Sequence, residues 1–293
     1  MAKQDRNNKR KAKKQGMLSI TWGRLKKNRL AMLGLFIMFV IVILAIIAPW
    51  IAPYQFDKTD FMCTFQGPSA EHWFGTDELG RDILSRLLVG AKYSLIVGVA
   101  SVALSGIIGV ALGALAGYIG GKFDMALMRA LDVIQALPGL ILSIAVAATL
   151  GPGFFNCIVS LTIGTIPGYA RMTRASILNV RNMEYVEAAK SINASDKRII
   201  IKHILPNALS PVIVQATMGV AGAILAAASL SFVGLGVQPP NPEWGAMLSG
   251  ARNYIRNYPH MVIFPGVTIM ITILSINMFG DGLRDALDPR LKD

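Results

Sequence analysis

Six long apolar runs, separated by polar stretches, organise this chain: Leu30–Ile51, Tyr93–Tyr118, Val133–Leu150, Phe154–Ala170, Leu209–Leu235 and His260–Gly280. Each is near or above the ~17 residues a helix needs to cross hydrocarbon. The fourth is the shortest and is interrupted by Gly164 and Pro167. The first is too long for the roughly 7–15-residue core of a cleavable signal, so it is expected to remain as an anchor, closed by Pro49 and Pro53. The pattern predicts an all-α polytopic membrane protein with six transmembrane helices.

Composition sharpens this picture. Hydrophobic residues make up 53% of the 293 and charged residues 16%, against roughly 25% charged in soluble domains. No Asp, Glu, Lys or Arg falls within any of the six runs. A charge at mid-bilayer costs about 2.5–3.5 kcal/mol on insertion scales and is retained there chiefly for function. The runs therefore argue against an ion-coupled carrier and against an intramembrane enzyme. Cys63 and Cys157 have no metal-ligand spacing, and His72, His203 and His260 are scattered, so no metal site is expected. Small residues form stripes instead: Gly109, Gly113 and Gly117, joined by Gly106, in the second run, and Gly219, Gly222, Ala223 and Ala226 in the fifth. Such stripes allow close helix packing, with a pathway lining as the alternative.

The net charge of +12 is unevenly placed. Eleven of the 29 Lys and Arg precede the first apolar run, where Lys3–Lys14 read as a solvated tail beside an anionic membrane surface. No folded basic domain is present to bind nucleic acid. With the N-terminus inside, 23 Lys and Arg lie inside and 6 outside. The positive-inside rule then places both termini and the 171–207 segment in the cytoplasm. Trp22 and the 24–29 basic cluster read as an interfacial lead-in helix. Two further segments are ambiguous. Thr76–Lys92 reads as an amphipathic helix, with Ile83, Leu84, Leu87, Leu88 and Ala91 opposite Asp82, Ser85 and Arg86. The Pro-rich 238–245 loop carries Trp244, a residue common at membrane interfaces.

The most informative segment lies between the fourth and fifth runs. Residues 183–192 predict a helix, with Glu184 and Glu187 near its positive N-terminal end. Asn193 suits the left-handed residue that ends a helix. Ser195 suits an N-cap, and a basic helix follows toward Leu205. Pro206 disfavours helix at Leu205, fits the first turn of a new helix, and predicts a break before the fifth run. Ala188 and Ala189 add little bulk, so a partner surface could approach closely; a polar connector resting on lipid headgroups is the alternative.

This hairpin resembles the signature loop of ABC importer permeases: Glu-Ala-Ala, three residues, Gly, nine residues, Ile, one residue, Leu-Pro. Glu187, Ala188, Ala189, Leu205 and Pro206 match in register, while Asn193 replaces the Gly and His203 the Ile. The 75–82 segment Gly-Thr-Asp-Glu-Leu-Gly-Arg-Asp, the 231–245 stretch and the 280–289 stretch are similar to the C-type subunit of the dipeptide, oligopeptide and nickel permeases. Together they cover about 25–291.

The resemblance implies a type I ABC importer permease fold in the cell membrane, with a tail and lead-in at 1–29, a permease domain at 30–280 containing an outer loop at 52–92, and a cytoplasmic segment at 281–293. It implies a sister permease in a heterodimer, two ABC ATPase subunits and an extracytoplasmic substrate-binding protein. Glu187, Ala188, Ala189, Asn193, Leu205 and Pro206 would form the ATPase-coupling element. ATP and Mg²⁺ would sit on the partners, and no cofactor on this chain. The residues agree on one point: Gly120-Gly121-Lys122-Phe123 lacks the first glycine and the hydroxyl of a phosphate-binding loop. Peptides are the expected substrate, with a nickel chelate or another small solute second. A self-contained carrier and a passive membrane scaffold are the competing classes.

Overall fold

A computed structural model describes residues 17–287. Helices dominate, and the described residues contain no strand, only an isolated antiparallel bridge between Thr76 and Asp82. The lead-in is α1 (Met17–Leu25), and α2 (Arg29–Ile51) opens on Asn28, whose side chain accepts from Ala31 N–H. The longest helix is α3 (Ile83–Ile119), followed by α4 (Gly121–Gln135), α5 (Gly139–Leu150) and α6 (Phe154–Val180). The hairpin contains α7 (Glu184–Ser191), α8 (Asp196–Arg198), a π-type turn at Ile199–Ile204 and α9 (Leu205–Ala208). Then come α10 (Ser210–Phe232), α11 (Trp244–Ala251) and α12 (His260–Leu287).

Four helices are long and apolar enough to cross a membrane: α2, α3, α10 and α12. The third apolar run, expected as one span, is broken, because α4 and α5 meet at 82°. Pro138 is the physical cause: its ring disfavours the helical conformation at Leu137 and it has no N–H to donate. The 12 residues of α5 rise only about 18 Å, less than a ~30 Å hydrocarbon core. If the bent pair is one span the count is five. Helix α6 has the length, but it runs ten residues past Ala170 and carries Arg171 and Arg174, which lowers its apolarity. Six crossings thus remain the expectation of the hydropathy pattern.

The glycine stripe of α3 is a packing seam. A Cβ on Gly109 would lie 2.5 Å from Tyr169 Cβ, and one on Gly113 would lie 2.2 Å from the Ala170 carbonyl oxygen, both on α6. One on Gly117 would lie 3.0 Å from Ile177 Cβ. Gly106 differs: nothing stands within 4 Å of its Cβ position. The fifth-run stripe divides likewise, with Gly219 against the Tyr169 hydroxyl and Gly222 facing open space.

Two segments depart from the sequence expectations. Helix does not begin at Thr76. It begins at Ile83, where Asp82 accepts from the backbone N–H and hydroxyl of Ser85. Residues 75–82 form a knot instead. Asp77 accepts from the backbone N–H groups of Leu79 and Arg81 and from Arg81 Nε, while His72 Nδ1 meets Asp82 at 3.0 Å. Gly80 adopts φ +71°, where a Cβ would strike the Asp60 carbonyl. The face expected to be polar and exposed is therefore interior: Asp82, Ser85 and Arg86 are all buried. Trp244 is not interfacial either. It is 1% exposed, and its Nε1 donates to the Leu87 carbonyl at 3.0 Å.

Within the segment set off at 281–293, the described residues continue α12 to Leu287 without a break. Gly282 and Ala286 pack against Leu25 of the lead-in helix and Ala31 of α2. The basic tail at Lys3–Lys14 and the last six residues lie outside the described residues.

Candidate functional site

The hairpin between α6 and α10 is seated on the core by one face of α7. Val186 and Ala189, three residues apart, are buried together with Ala114 of α3, Ile177 of α6, Ile199 and Ile204 of the π turn, and Ala208 of α9. The other face is open. Glu187 and Ala188 are exposed, as are Glu184 and Ile192, which share a side with Ala188 at i, i+4, i+8 spacing. Ile192 is 77% exposed, a large apolar side chain at the end of that stripe. The two alanines therefore divide: Ala188 is presented outward, whereas Ala189 is 5% exposed and its small side chain lets α7 sit close to its own core.

The turn after α7 has the geometry that Asn193 suggests. Its φ is +60°; its N–H donates to the Lys190 carbonyl at 2.9 Å, and Ala194 N–H donates to the Ala189 carbonyl at 3.2 Å. These are the two reverse bonds of a Schellman ending, which satisfy carbonyls the helix leaves free. Ser195 is extended as an N-cap should be, although its side chain makes no capping hydrogen bond.

Pro206 lies in the first turn of α9, as expected, but the non-helical break expected ahead of it at Leu205 is absent. Leu205 is helical (φ −54°, ψ −47°), and its N–H reaches back five residues to the Ile200 carbonyl. A proline ring normally clashes with the carbonyl four residues earlier, and the widened turn at Ile199–Ile204 relieves the crowding ahead of Pro206. Leu205 is half-buried against the same cluster, while Pro206 is exposed. Asn207 Nδ2 donates to the His203 carbonyl at 2.8 Å.

Longer-range ties hold this end of the molecule. The Tyr118 hydroxyl donates to Asp196, linking the end of α3 to the hairpin. Arg181 donates to the Gly117 carbonyl at 3.0 Å. Arg174 forms a fork on Asp124, 2.5 and 2.6 Å, joining α6 to α4. Sequence reasoning missed Tyr118, Asp124 and Arg174, because their partners lie 50 to 78 positions away and no local periodicity reports them. Ile192 carried a local signal, a large apolar residue at the end of a polar helix.

A short helix with an open face is mounted on the ends of two long helices. Among the described residues no group of three or more His, Cys, Asp or Glu could hold a metal ion.

Comparison with known proteins identifies the family. Residues 109–293 match the family described as binding-protein-dependent transport system inner membrane component. Residues 16–68 match the N-terminal TM domain of oligopeptide transport permease C. The chain is 47% identical over 272 residues to the glutathione transport system permease protein GsiD of Escherichia coli O6:K15:H31 (strain 536 / UPEC), covering 92% of this chain and 90% of that protein. It is also 47% identical over 269 residues to the dipeptide transport system permease protein DppC of Alkalihalophilus pseudofirmus, covering 92% and 88%. The fold is shared with a chain of the inward-facing MetNI methionine ABC transporter, with a TM-score of 0.58, 22% identity, and coverage of 69% of this chain and 96% of that one. A multi-pass helical chain that resembles such permeases along nearly its whole length is assigned without ambiguity: it belongs to the binding-protein-dependent transport system inner membrane components, as a permease of the peptide ABC importer class.

Proposed function

We propose that this chain is one permease subunit of an ATP-driven importer of short peptides, glutathione among the candidates. The observation that carries the reading is the 47% identity, over about nine-tenths of each chain, to permeases named for glutathione and for dipeptides. Neither name favours a nickel chelate. A sister permease, two cytoplasmic ATPases and an extracytoplasmic binding protein complete the assembly. ATP and Mg²⁺ act on the ATPases, and this chain performs no catalysis.

In this reading α7 is the coupling helix. Glu184, Ala188 and Ile192 present one stripe to an ATPase cleft, with Glu187 beside it giving a polar contact that fixes orientation. Val186 and Ala189 anchor the helix to Ala114 and Ile177, so a push on α7 is delivered to the ends of α3 and α6 rather than absorbed in a loose loop. Packed interfaces respond to such a push by switching between discrete arrangements. The bias of positive charge supports a cytoplasmic position for both termini and the hairpin.

The experiment is uptake of labelled glutathione and of a dipeptide into liposomes holding the complete complex. A Glu187→Arg, Ala188→Trp double variant is expected to cut ATP-dependent uptake while leaving the subunits folded. Normal uptake and normal ATPase coupling in that variant would remove the hairpin from the mechanism. Wild-type liposomes that import neither compound would overturn the substrate assignment.

A further inference from the structure

The end of α3 opposite the coupling hairpin holds a charged cavity that the coupling mechanism does not use. It has a volume of about 250 Å³, and its lining includes Glu78, Arg81, Arg86, Gln238 and Asn241. Between Arg86 and Tyr118 runs unbroken helix, about 48 Å at 1.5 Å per residue. The cavity therefore lies on the far side of the molecule from α7, the side from which an imported solute arrives.

The polar groups of this cavity are unequally satisfied. Arg81 is the better satisfied of the two arginines: its backbone N–H and Nε bind Asp77 at 3.0 and 2.7 Å, and another guanidinium nitrogen reaches Glu78 at 3.2 Å. This pair does the structural work of the 75–82 knot. Arg86 is 5% exposed, yet the one hydrogen bond its guanidinium makes to a described residue is to the Phe56 carbonyl, at 3.3 Å. Its Nε lies 3.5 Å from Asp77 and makes no hydrogen bond. Asp77, already committed to Arg81, is the acceptor that two cations share. A buried guanidinium with spare donors is costly to leave unsatisfied, and its planar fork matches a carboxylate. Glu78 is the less buried acid of the cluster, with its side chain 27% exposed, and Asn241 and Gln238 supply neutral polar groups. A donor-rich cation beside a partly exposed acid complements a zwitterion. The volume falls just below the roughly 300–1,000 Å³ of drug-sized sites, a size for the end of a short peptide.

We propose that this cavity is a receiving site for the carboxylate of the transported peptide, with Arg86 as the carboxylate-binding residue and Glu78 facing the ammonium group. The proposal rests on the peptide-import reading above and adds a specificity step within the membrane subunits themselves. A carboxylate could also come from an acidic side chain of the binding protein, and the experiment separates the two sources.

The probe is dialanine and its C-terminal amide, added without binding protein to the purified complex of both permeases and both ATPases, with thermal unfolding as the readout. Dialanine is expected to raise the midpoint at millimolar concentration and the amide to have no effect. Asn241→Asp places a negative charge in the lining without disturbing the knot, and it should weaken dialanine binding about tenfold or more, the equivalent of one charge-assisted hydrogen bond. Arg86→Gln should abolish binding; should that variant fail to fold, Asn241→Asp decides. Equal effects of dialanine and its amide, or unchanged affinity in Asn241→Asp, would overturn the assignment. So would the absence of any dialanine effect together with weaker capture of the binding protein by Asn241→Asp, which would assign the carboxylate to that partner. Wild-type complex that imports no peptide refutes the functional reading. Normal import with no carboxylate preference here refutes the subsite alone.

Discussion

Replacing Gly113 by alanine tests the packing seam between α3 and α6 most directly. The added Cβ would sit 2.2 Å from the Ala170 carbonyl oxygen, 2.8 Å from Thr173 Cβ and 3.0 Å from the Ala170 carbonyl carbon. Two of these three are backbone atoms that no rotamer change can move, so the helices must part by about 1 Å. A radial gap of 0.5–1 Å forfeits roughly a quarter to a half of each dispersion contact along the seam, and overpacking of this kind costs about 1–3 kcal/mol. Alanine recovers about 0.5–1 kcal/mol of helix propensity over glycine, leaving a net loss of about 1–1.5 kcal/mol. At about 2–4 °C per kcal/mol, the thermal midpoint of the purified chain in detergent should fall by about 2–6 °C. Gly106→Ala is the internal control: it lies seven residues earlier on the same helix with nothing within 4 Å of its Cβ position. It should leave the midpoint unchanged or raise it by about 1–3 °C, through propensity alone. Equal falls for the two variants would show that the seam is not where the close approach occurs, and the reasoning would fail.

Asn193→Val forces a β-branched residue to φ +60° and should destabilise the hairpin by at least the roughly 1–2 kcal/mol that a left-handed residue costs. Asn193→Gly should be neutral or better, both read as amide hydrogen exchange of residues 184–196. Glu243→Ala removes the acceptor of the Gly245 and Ala246 N–H groups and of the Ser94 hydroxyl; a loss of about 1–2 kcal/mol in thermal unfolding is expected, as for an N-cap. The Cys63 thiol is pushed above its ordinary range by partial burial, then by Asp60. Less thiolate is then present at pH 8, so iodoacetamide should modify it more slowly than a free thiol at that pH, with the rate still climbing above pH 9. An impermeant maleimide should reach Cys63 from the side of the membrane opposite to a cysteine placed at Ala188. Labelling of both from one side would refute the proposed orientation.

Much of this architecture was legible because it is local. Asn193 identified a left-handed helix ending, and the reverse bonds to Ala189 and Lys190 formed there. Gly109, Gly113 and Gly117 repeat every four residues, and that spacing is enough to predict a face that another helix approaches. The misread segments are those whose conformation is decided by specific side-chain hydrogen bonds, near or distant, that periodicity does not report. Residues 76–92 have the periodicity of an amphipathic helix, yet the first seven are claimed by Asp77, His72 and His260, and the polar face is covered by other parts of the chain. Trp244 is drawn inward by a carbonyl 157 positions away. The third apolar run is a case of averaging: hydropathy is insensitive to the one proline that divides it.

The candidate site was legible in sequence position but not in orientation. An eight-residue helix with two adjacent alanines declares a face of close approach without saying which side is covered. The cluster of Val186 and Ala189 with Ala114 and Ile177 decides this, and it changes what the signature means. Ala189 serves the chain's own core, and Ala188 is the small residue that a partner can meet. A helix held loosely on the lipid surface would need no such seat, because water and headgroups satisfy a polar connector from every side. A lever needs one: displacement at α7 reaches α3 and α6 only if the buried face does not slip. The packing of Ala189 is therefore a better argument for coupling than the exposure of Glu187. A bulky residue at 189 should uncouple the hairpin from within, with the outward face and its affinity for a partner left intact.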